Sequence, residues 1–213
     1  MEVARLEKLH NNSEYKNFKE PRAEVHNIYL DEDELKKLYD LKLSGMDEKI
    51  RDVFLIGCFT LQRFTDYSRI SPRMIQSKSN NGKIIELIQT ETNQRVVIPI
   101  RPTLDTLLIK YDYKVPKVLP QKLNDRIKEL AKKVGITDPI QIEKYKGGKR
   151  INETIPKCDL IIFHTARRSG CTSMFKDGYH THNYHENFRS QNRTGISEIY
   201  PYLIRKNCGW IDR

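Results

Sequence analysis

The sequence predicts a mixed α+β fold that is mainly helical and carries a small antiparallel β-sheet. Apolar residues recur at helical spacing in residues 35–41 and again in residues 123–134. Residues 83–88 and 95–100 are instead rich in β-forming residues, and the polar stretch 91–94 between them predicts a turn of a hairpin or of a three-stranded meander. Because 38% of the 213 residues are hydrophobic, these elements have enough apolar surface to share a sizeable core.

The first half of the chain predicts helices before the sheet. The acidic run 31–34 precedes Leu35, and acidic residues in a first turn favour the helix dipole, so we assign the run no other role. Residues 49–67 form the most apolar helical segment and are expected at the centre of the core. Arg63 stands at the far end of this segment, where packing can hold it rigidly. The alternative is a surface arginine paired with Asp66.

The second half predicts further helices and a second pair of strands. Helical patterns cover residues 104–111 and 121–134, and the latter stops at Gly135. Residues 140–155 predict a strand pair that turns at residues 147–148. This hairpin either contacts a phosphate backbone or forms a solvated edge, because it is rich in basic residues, namely Lys144, Lys146, Lys149 and Arg150.

The composition favours a polyanionic partner. Lysine and arginine number 38 against 28 aspartates and glutamates, so the formal net charge is +10 and nucleic acid is the first candidate. No apolar run reaches the length of a membrane span, and the first residues resemble neither a signal peptide nor a presequence. The four cysteines are scattered without a CxxC pair, which is typical of a protein of the reducing cytoplasm.

The histidines do not predict a metal site. Three of the six crowd together at His180, His182 and His185. No cluster of cysteines or carboxylates accompanies them to complete a ligand set. We therefore expect no bound metal.

The segment FHTARRSGCTSMF, residues 163–175, predicts an anion site at the start of a helix. Thr165 is the expected N-cap, which would place His164 and Arg167 within one turn of the helix start and on one face. An imidazole and a guanidinium beside a helix N-terminus suit a phosphate oxyanion. The alternative is a capping or core histidine with Arg167 and Arg168 on a solvated face.

Three motifs in a fixed order give the chain a family resemblance. Arg63 lies within GCFTLQRFTD, a strand turn lies within LIQTETNQRVVIPI, and HTARRS follows about a hundred residues after Arg63. This order resembles the catalytic domain of tyrosine recombinases, the phage-type integrases, and YLDEDELKKLYDL and RDVFLIGCFTLQRFTDYSRI resemble those of Bacteroides-like mobile elements. The resemblance covers roughly residues 18–178.

The resemblance implies a reaction and a partner. In this family a tyrosine attacks a phosphate of double-stranded DNA and forms a 3′-phosphotyrosine intermediate, without a metal or another cofactor, and active members work as tetramers on DNA. By motif, Arg63 is the first catalytic arginine, His164 the histidine of the HxxR box, and Arg167 the second arginine. We expect Arg168 and the basic hairpin residues Lys144, Lys146 and Lys149 to contact DNA.

Two departures concern the sheet and the start of the chain. The family usually places a lysine before the second strand of the hairpin as the general acid, whereas this chain has Glu91 there. Lys78 and Lys83 are nearby in sequence but occupy other places in the pattern. Residues 1–27 are expected to be the linker remnant of a missing core-binding domain, and residues 28–178 the catalytic domain.

A third departure concerns residues 179–213. The family expects a second histidine and the nucleophilic tyrosine where this chain has Ser190 and Ile199. A frame shifted by one nucleotide after about residue 178 can encode GHKTEQAFLKYIR there, with the histidine and the tyrosine at the expected positions. We therefore predict a frameshift near Gly178 and a poorly ordered tail. Tyr200 is one residue from the expected site, and we expect it to be a poor nucleophile because nothing positions it.

Together these features predict a catalytic-domain fragment of a site-specific DNA recombinase that is inactive or nearly so as written. The alternative is a non-catalytic DNA-binding remnant of an integrase. Both predict salt-dependent binding to DNA. Only the first predicts a covalent adduct between protein and DNA.

Overall fold

The computed structural model describes residues 27–77, 82–146 and 149–176, and side chains in all of these except 144–150. The helices are α1 (Glu32–Asp40), α2 (Gly45–Thr60), α3 (Phe64–Tyr67), α4 (Pro102–Ile109), α5 (Pro120–Lys133) and α6 (Phe163–Lys176). The strands are β1 (Ile75–Ser77), β2 (Lys83–Ile88), β3 (Arg95–Pro99), β4 (Pro139–Lys146) and β5 (Lys149–Pro156). Short 3-10 helices span Pro72–Met74 and Lys157–Leu160. The predicted α+β class is confirmed, and none of these helices combines the length and apolar character needed to cross a bilayer.

The acidic run at the start of α1 caps the helix and also links it to Lys157, far along the chain. Asp31 accepts a hydrogen bond from the backbone N–H of Glu34 at 2.9 Å, and the Glu34 carboxylate accepts one from the backbone N–H of Asp31 at 2.8 Å. This reciprocal pair is a capping box. Glu34 is buried, and its Oε2 and Oε1 atoms accept hydrogen bonds from Nζ of Lys157 at 2.6 and 2.7 Å. The expectation that the run serves only the helix dipole is therefore wrong.

Helix α2 lies at the centre of the core, as predicted, but the helical segment does not continue to Tyr67. At Leu61 the backbone adopts a left-handed conformation with φ of 60°, and its N–H closes the helix on the carbonyl of Gly57. Arg63 is extended and precedes the short helix α3. The segment predicted as a single helix thus consists of two helices. The break between them contains Arg63. Five apolar α2 side chains are fully buried, namely Ile50, Val53, Phe54, Leu55 and Ile56.

Strands β1, β2 and β3 form the predicted small antiparallel sheet. Ile85 of β2 lies opposite Ile75 of β1 on one side and opposite Ile98 of β3 on the other. Ile85 and Ile98 are buried, which anchors this register because a shift by one residue would move them to the opposite face. The turn between β2 and β3 contains residues 90–94.

The described residues divide into two compact units. The larger comprises residues 27–140 apart from 78–81, together with 154–176, and the smaller comprises residues 141–153 apart from 147–148. The smaller unit consists of most of the two-stranded sheet of β4 and β5, which confirms the predicted strand pair. The side chains of Lys144, Lys146 and Lys149 lie outside the described part, so their contact with DNA stays a prediction. The same holds for the domain boundaries, because residues 1–26 and 177–213 are outside it.

Helix α6 approaches α2 so closely that a side chain does not fit between them. A Cβ atom on Gly170 would lie 1.9 Å from the backbone oxygen of Cys58 and 2.3 Å from Cδ2 of Leu61. Ser169, the preceding residue, accepts a hydrogen bond at 2.8 Å from the backbone N–H of Leu30. This contact places the start of α6, with His164 and Arg167, relative to the end of α2.

Replacing Gly170 with alanine should destabilise the fold by about 2 kcal/mol, because α2 and α6 must move apart and the helix-propensity gain of alanine offsets only part of the cost. Urea denaturation measures the free energy of unfolding. Gly82→Ala is the control, because a Cβ there meets nothing within 4 Å. Equal stability of the two variants would contradict the close packing of α2 and α6.

Candidate functional site

The site is built around Arg63, which the break after α2 brings to a half-buried position. Its backbone is extended, with φ of −69° and ψ of 154°. Its side chain is 23% exposed, and its Nε atom lies 3.1 Å from Oε2 of Glu91. Glu91 belongs to the turn between β2 and β3, and its side chain is 58% exposed. The sheet therefore reaches Arg63 through its turn.

Hydrogen bonds that are buried or partly buried hold this turn against the residues around the start of α3. The backbone N–H and the hydroxyl of Thr90 both donate to Oδ1 of Asp66 at 2.8 Å. The side-chain amide of Gln89 donates to Oε1 of Gln62 at 2.8 Å, and the hydroxyl of Thr92 donates to Gln89 at 2.7 Å. Because residues on both sides of Glu91 are tied down, the backbone of Glu91 has a defined position beside Arg63.

Asp66 is fully buried and serves the turn rather than Arg63. Its Oδ1 atom accepts from Thr90 and from Arg69, the latter at 3.3 Å. Its Oδ2 atom has no hydrogen-bond partner within the described part of the chain. The ion pair shown for Arg63 is with Glu91, so the alternative in which Arg63 pairs with Asp66 is not what the structure shows.

Helix α6 begins earlier than predicted. Its first residue is Phe163, so Thr165 lies inside the first turn and is not the N-cap. The backbone N–H of Phe163 donates to the side-chain oxygen of Asn124 on α5 at 2.8 Å, and the hydroxyl of Thr165 accepts from the N–H of Ile162 at 3.1 Å. Asn124, on a helix distant in sequence, thus accepts a hydrogen bond from the start of α6, where the sequence predicted a local cap by Thr165.

His164 is exposed on the first turn of α6 and lies within the field of several arginines. Its ring packs against Phe163 with centroids 4.2 Å apart. Partial burial lowers the pKa of His164, and the positive charges of Arg168, Arg167 and Arg63 lower it further. Glu91 acts in the opposite direction and raises this pKa. Since the ordinary value is 6.5, His164 is mainly neutral at pH 7.

Arg167 is half-buried on the same helix and shares this field. Burial has the largest effect and lowers the pKa of Arg167, and repulsion from Arg63 lowers it as well. The sulfur of Cys171, one turn further along α6, accepts a hydrogen bond from the guanidinium and opposes this shift, as does the charge of Asp66. A guanidinium remains charged in proteins. The positive charges of Arg63, just before α3, and of Arg167, on α6, therefore act on the same region.

Four of the predicted residues, Arg63, His164, Arg167 and Arg168, thus lie in one region, where the ring of Phe64 beside Arg63 packs against that of Phe163 beside His164 with centroids 5.4 Å apart. Lys83 is engaged elsewhere, because its ammonium contacts both carboxylate oxygens of Asp105 at 3.0 and 3.2 Å. Lys78, Ser190, Ile199 and Tyr200 lie outside the described residues.

Several supporting residues escaped the sequence reasoning. Gln62, Gln89 and Asn124 act through hydrogen bonds between elements, and no local pattern marks them. Within the described ranges, no three His, Cys, Asp or Glu side chains gather to hold a metal ion. The cluster of His180, His182 and His185 lies beyond those ranges, so the expectation about metal binding stays a prediction.

No protein-family model matches the sequence, and no curated protein matches it either. Several solved structures, in contrast, are similar to this chain. A dimer of lambda integrase (75–356) bound to a COC′ core site aligns with a TM-score of 0.67 at 14% identity, over 92% of this chain and 67% of that one. A lambda integrase tetramer bound to a Holliday junction aligns with a TM-score of 0.65 at 14% identity, over 91% and 56%.

The XerH site-specific recombinase bound to a palindromic difH substrate, in a post-cleavage complex, is also similar. It aligns with a TM-score of 0.54 at 11% identity, over 78% of this chain and 47% of that one. The chain therefore spans between about half and two thirds of the length of these proteins. At such identities the likeness establishes the fold, and this chain has the fold of the catalytic domain of tyrosine recombinases, as its motifs predicted.

Proposed function

We propose that the chain is the catalytic-domain part of a site-specific DNA recombinase and that its partner is double-stranded DNA. The observation that carries the proposal is the proximity of Arg63 to His164 and Arg167, which follow it in sequence by about a hundred residues. The ring of Phe64, next to Arg63, packs against that of Phe163, next to His164, with centroids 5.4 Å apart, and the charge of Arg63 lowers the pKa of both His164 and Arg167. The net charge of +10 supports a polyanionic partner. The fold supports it too, because the similar structures of XerH and lambda integrase are bound to DNA. Assembly into tetramers on DNA belongs to the same proposal.

The chemistry of this cluster suits a phosphodiester. Two guanidiniums can bind the two non-bridging oxygens, and they stabilise the charge that develops at phosphorus when a fifth ligand attacks. A neutral imidazole beside them can donate or accept a hydrogen bond at the same phosphate. Such a site lowers the barrier to strand cleavage only if a nucleophile reaches the phosphorus in line.

We propose that cleavage is absent or nearly so in the present sequence. The position of the family's tyrosine is held by Ile199, that of its second histidine by Ser190, and that of its hairpin lysine by Glu91. The frameshift near Gly178 stays a prediction, and an independent nucleotide sequence of codons 170–213 tests it directly. The second candidate function is a non-catalytic DNA-binding remnant, which the same missing groups favour.

Neutralising either arginine of the site should weaken DNA binding. We expect Arg63→Gln and Arg167→Gln each to reduce the affinity for a labelled duplex about tenfold at low salt, and to reduce the slope of log affinity against log salt by about one. Fluorescence anisotropy across a salt series measures both. The matched control is Arg126→Gln, because Arg126 lies on α5 and also pairs with an exposed glutamate, Glu129. Equal losses in all three variants would show that only overall charge matters.

The full chain should form no covalent adduct with a nicked suicide substrate on a denaturing gel. A chain whose tail follows the shifted frame should form one, since it carries the tyrosine and the histidine at the expected positions. An adduct with the unaltered chain that disappears in Tyr200→Phe would contradict the proposed inactivity.

His164 should titrate below pH 6.5 in NMR spectra of its ring protons, because burial and three arginines oppose its protonation. Arg168→Gln should raise its pKa, and bound DNA should also raise it. The unfolded chain then binds more protons than the folded one just below pH 6.5, so His164 makes the free energy of unfolding fall as pH falls. The signal is assigned by its loss in His164→Gln, and Arg126→Gln should leave it unmoved. An ordinary pKa unaffected by Arg168→Gln would contradict the cluster.

A further inference from the structure

The carboxylate of Glu91 lies where the proposed function requires a phosphate. Its Oε2 atom is 3.1 Å from Nε of Arg63. We propose that Glu91 is an internal competitor for the DNA phosphate: it compensates the charge of Arg63 in the free protein and must leave when a phosphodiester binds. This inference rests on the proposed function and assigns a role to a residue that departs from the family pattern.

The two partners differ in how firmly they are held. The side chain of Arg63 is 23% exposed, whereas that of Glu91 is 58% exposed, so the carboxylate approaches from the solvent side. The hydrogen bonds of Thr90 to Asp66 and of Gln89 to Gln62 position the backbone on one side of Glu91, and Thr92 bonds to Gln89 on the other. The turn therefore keeps the carboxylate near Arg63, while its exposed side chain remains able to rotate away.

The charge of Glu91 also reaches the rest of the site. It raises the pKa of His164, against the lowering effects of burial, Arg168, Arg167 and Arg63. Glu91 is thus an exposed negative group among these positive ones, and the other nearby carboxylate, Asp66, is fully buried below the turn. A phosphate approaching Arg63 must replace one negative group with another, because two anions cannot share the guanidinium without repulsion.

The expected strength of this competition is modest. Ion pairs with an exposed partner contribute little, and salt screens them. Glu91 should therefore reduce the affinity for DNA without abolishing binding. It should also make the salt dependence of binding shallower, since the phosphate that binds Arg63 displaces an internal carboxylate rather than only solvent counterions.

The test compares Glu91→Gln with Glu129→Gln in the full chain. Glu129 is a matched control because its side chain is 56% exposed and it pairs with an arginine, Arg126, while both residues lie on α5 rather than in the turn that carries Glu91. Both variants lose one negative charge. We expect Glu91→Gln to bind a labelled duplex about fivefold more tightly and with a salt slope steeper by about one, and Glu129→Gln to change affinity less than twofold. Glu91→Ala provides a second variant at the same site.

A double-mutant cycle with Arg63→Gln identifies the mechanism. The gain from Glu91→Gln should be smaller when Arg63 is already neutral, because no ion pair then has to break and only the repulsion between carboxylate and phosphate is removed. The pKa of His164 should fall in Glu91→Gln but not in Glu129→Gln. Equal gains in the two glutamate variants would overturn the internal competitor while Arg63→Gln and Arg167→Gln still weakened DNA binding. If neither arginine variant weakened binding more than Arg126→Gln, the proposed function and the competitor would both fail.

Discussion

The backbone contact between α2 and α6 controls the geometry of the site. At Gly170 the helices meet without an intervening side chain, and the same helices end and begin beside Arg63 and His164. Arg63 follows the end of α2 by three residues, whereas Arg167 lies one turn before the contact on α6. A small change in the separation of these helices would therefore alter the distance between the two guanidiniums directly. Packing far from solvent thus controls groups that must act together on one phosphate.

Grouping positive charges has a cost, and the surrounding residues offset part of it. Burial and mutual repulsion both disfavour the charged form of Arg167, while the thiol of Cys171 and the carboxylate of Asp66 favour it. The same repulsion acts differently on His164, because it lowers the pKa of the imidazole and so keeps the ring neutral near pH 7. A site prepared for an anion is least stable when it is empty, and Glu91 supplies one negative group in the free protein.

Periodicity in the sequence was sufficient to predict the class of the fold and most of its elements. The predicted helices, both strand pairs and the turn between β2 and β3 were confirmed, because each depends on local apolar spacing or turn residues. The break at Leu61 was missed, since the apolar pattern continues through it. The start of α6 was misplaced because Asn124, a residue of another helix, satisfies its N–H group. The motifs selected the arginines and His164, but the pairing of Arg63 with Glu91 depends on how the sheet packs.

The long-range contacts at the start of α1 also affect the order in which the chain can fold during synthesis. Glu34 is buried with Lys157, which follows it by 123 residues, and Leu30 is hydrogen-bonded to Ser169, which follows it by 139. While a ribosome is still translating the middle of the chain, neither partner exists, so the carboxylate of Glu34 and the backbone N–H of Leu30 remain exposed to water. Contacts between segments so distant in sequence slow folding, because the connecting loop must first close. Native docking of α1 therefore has to wait until α6 has emerged.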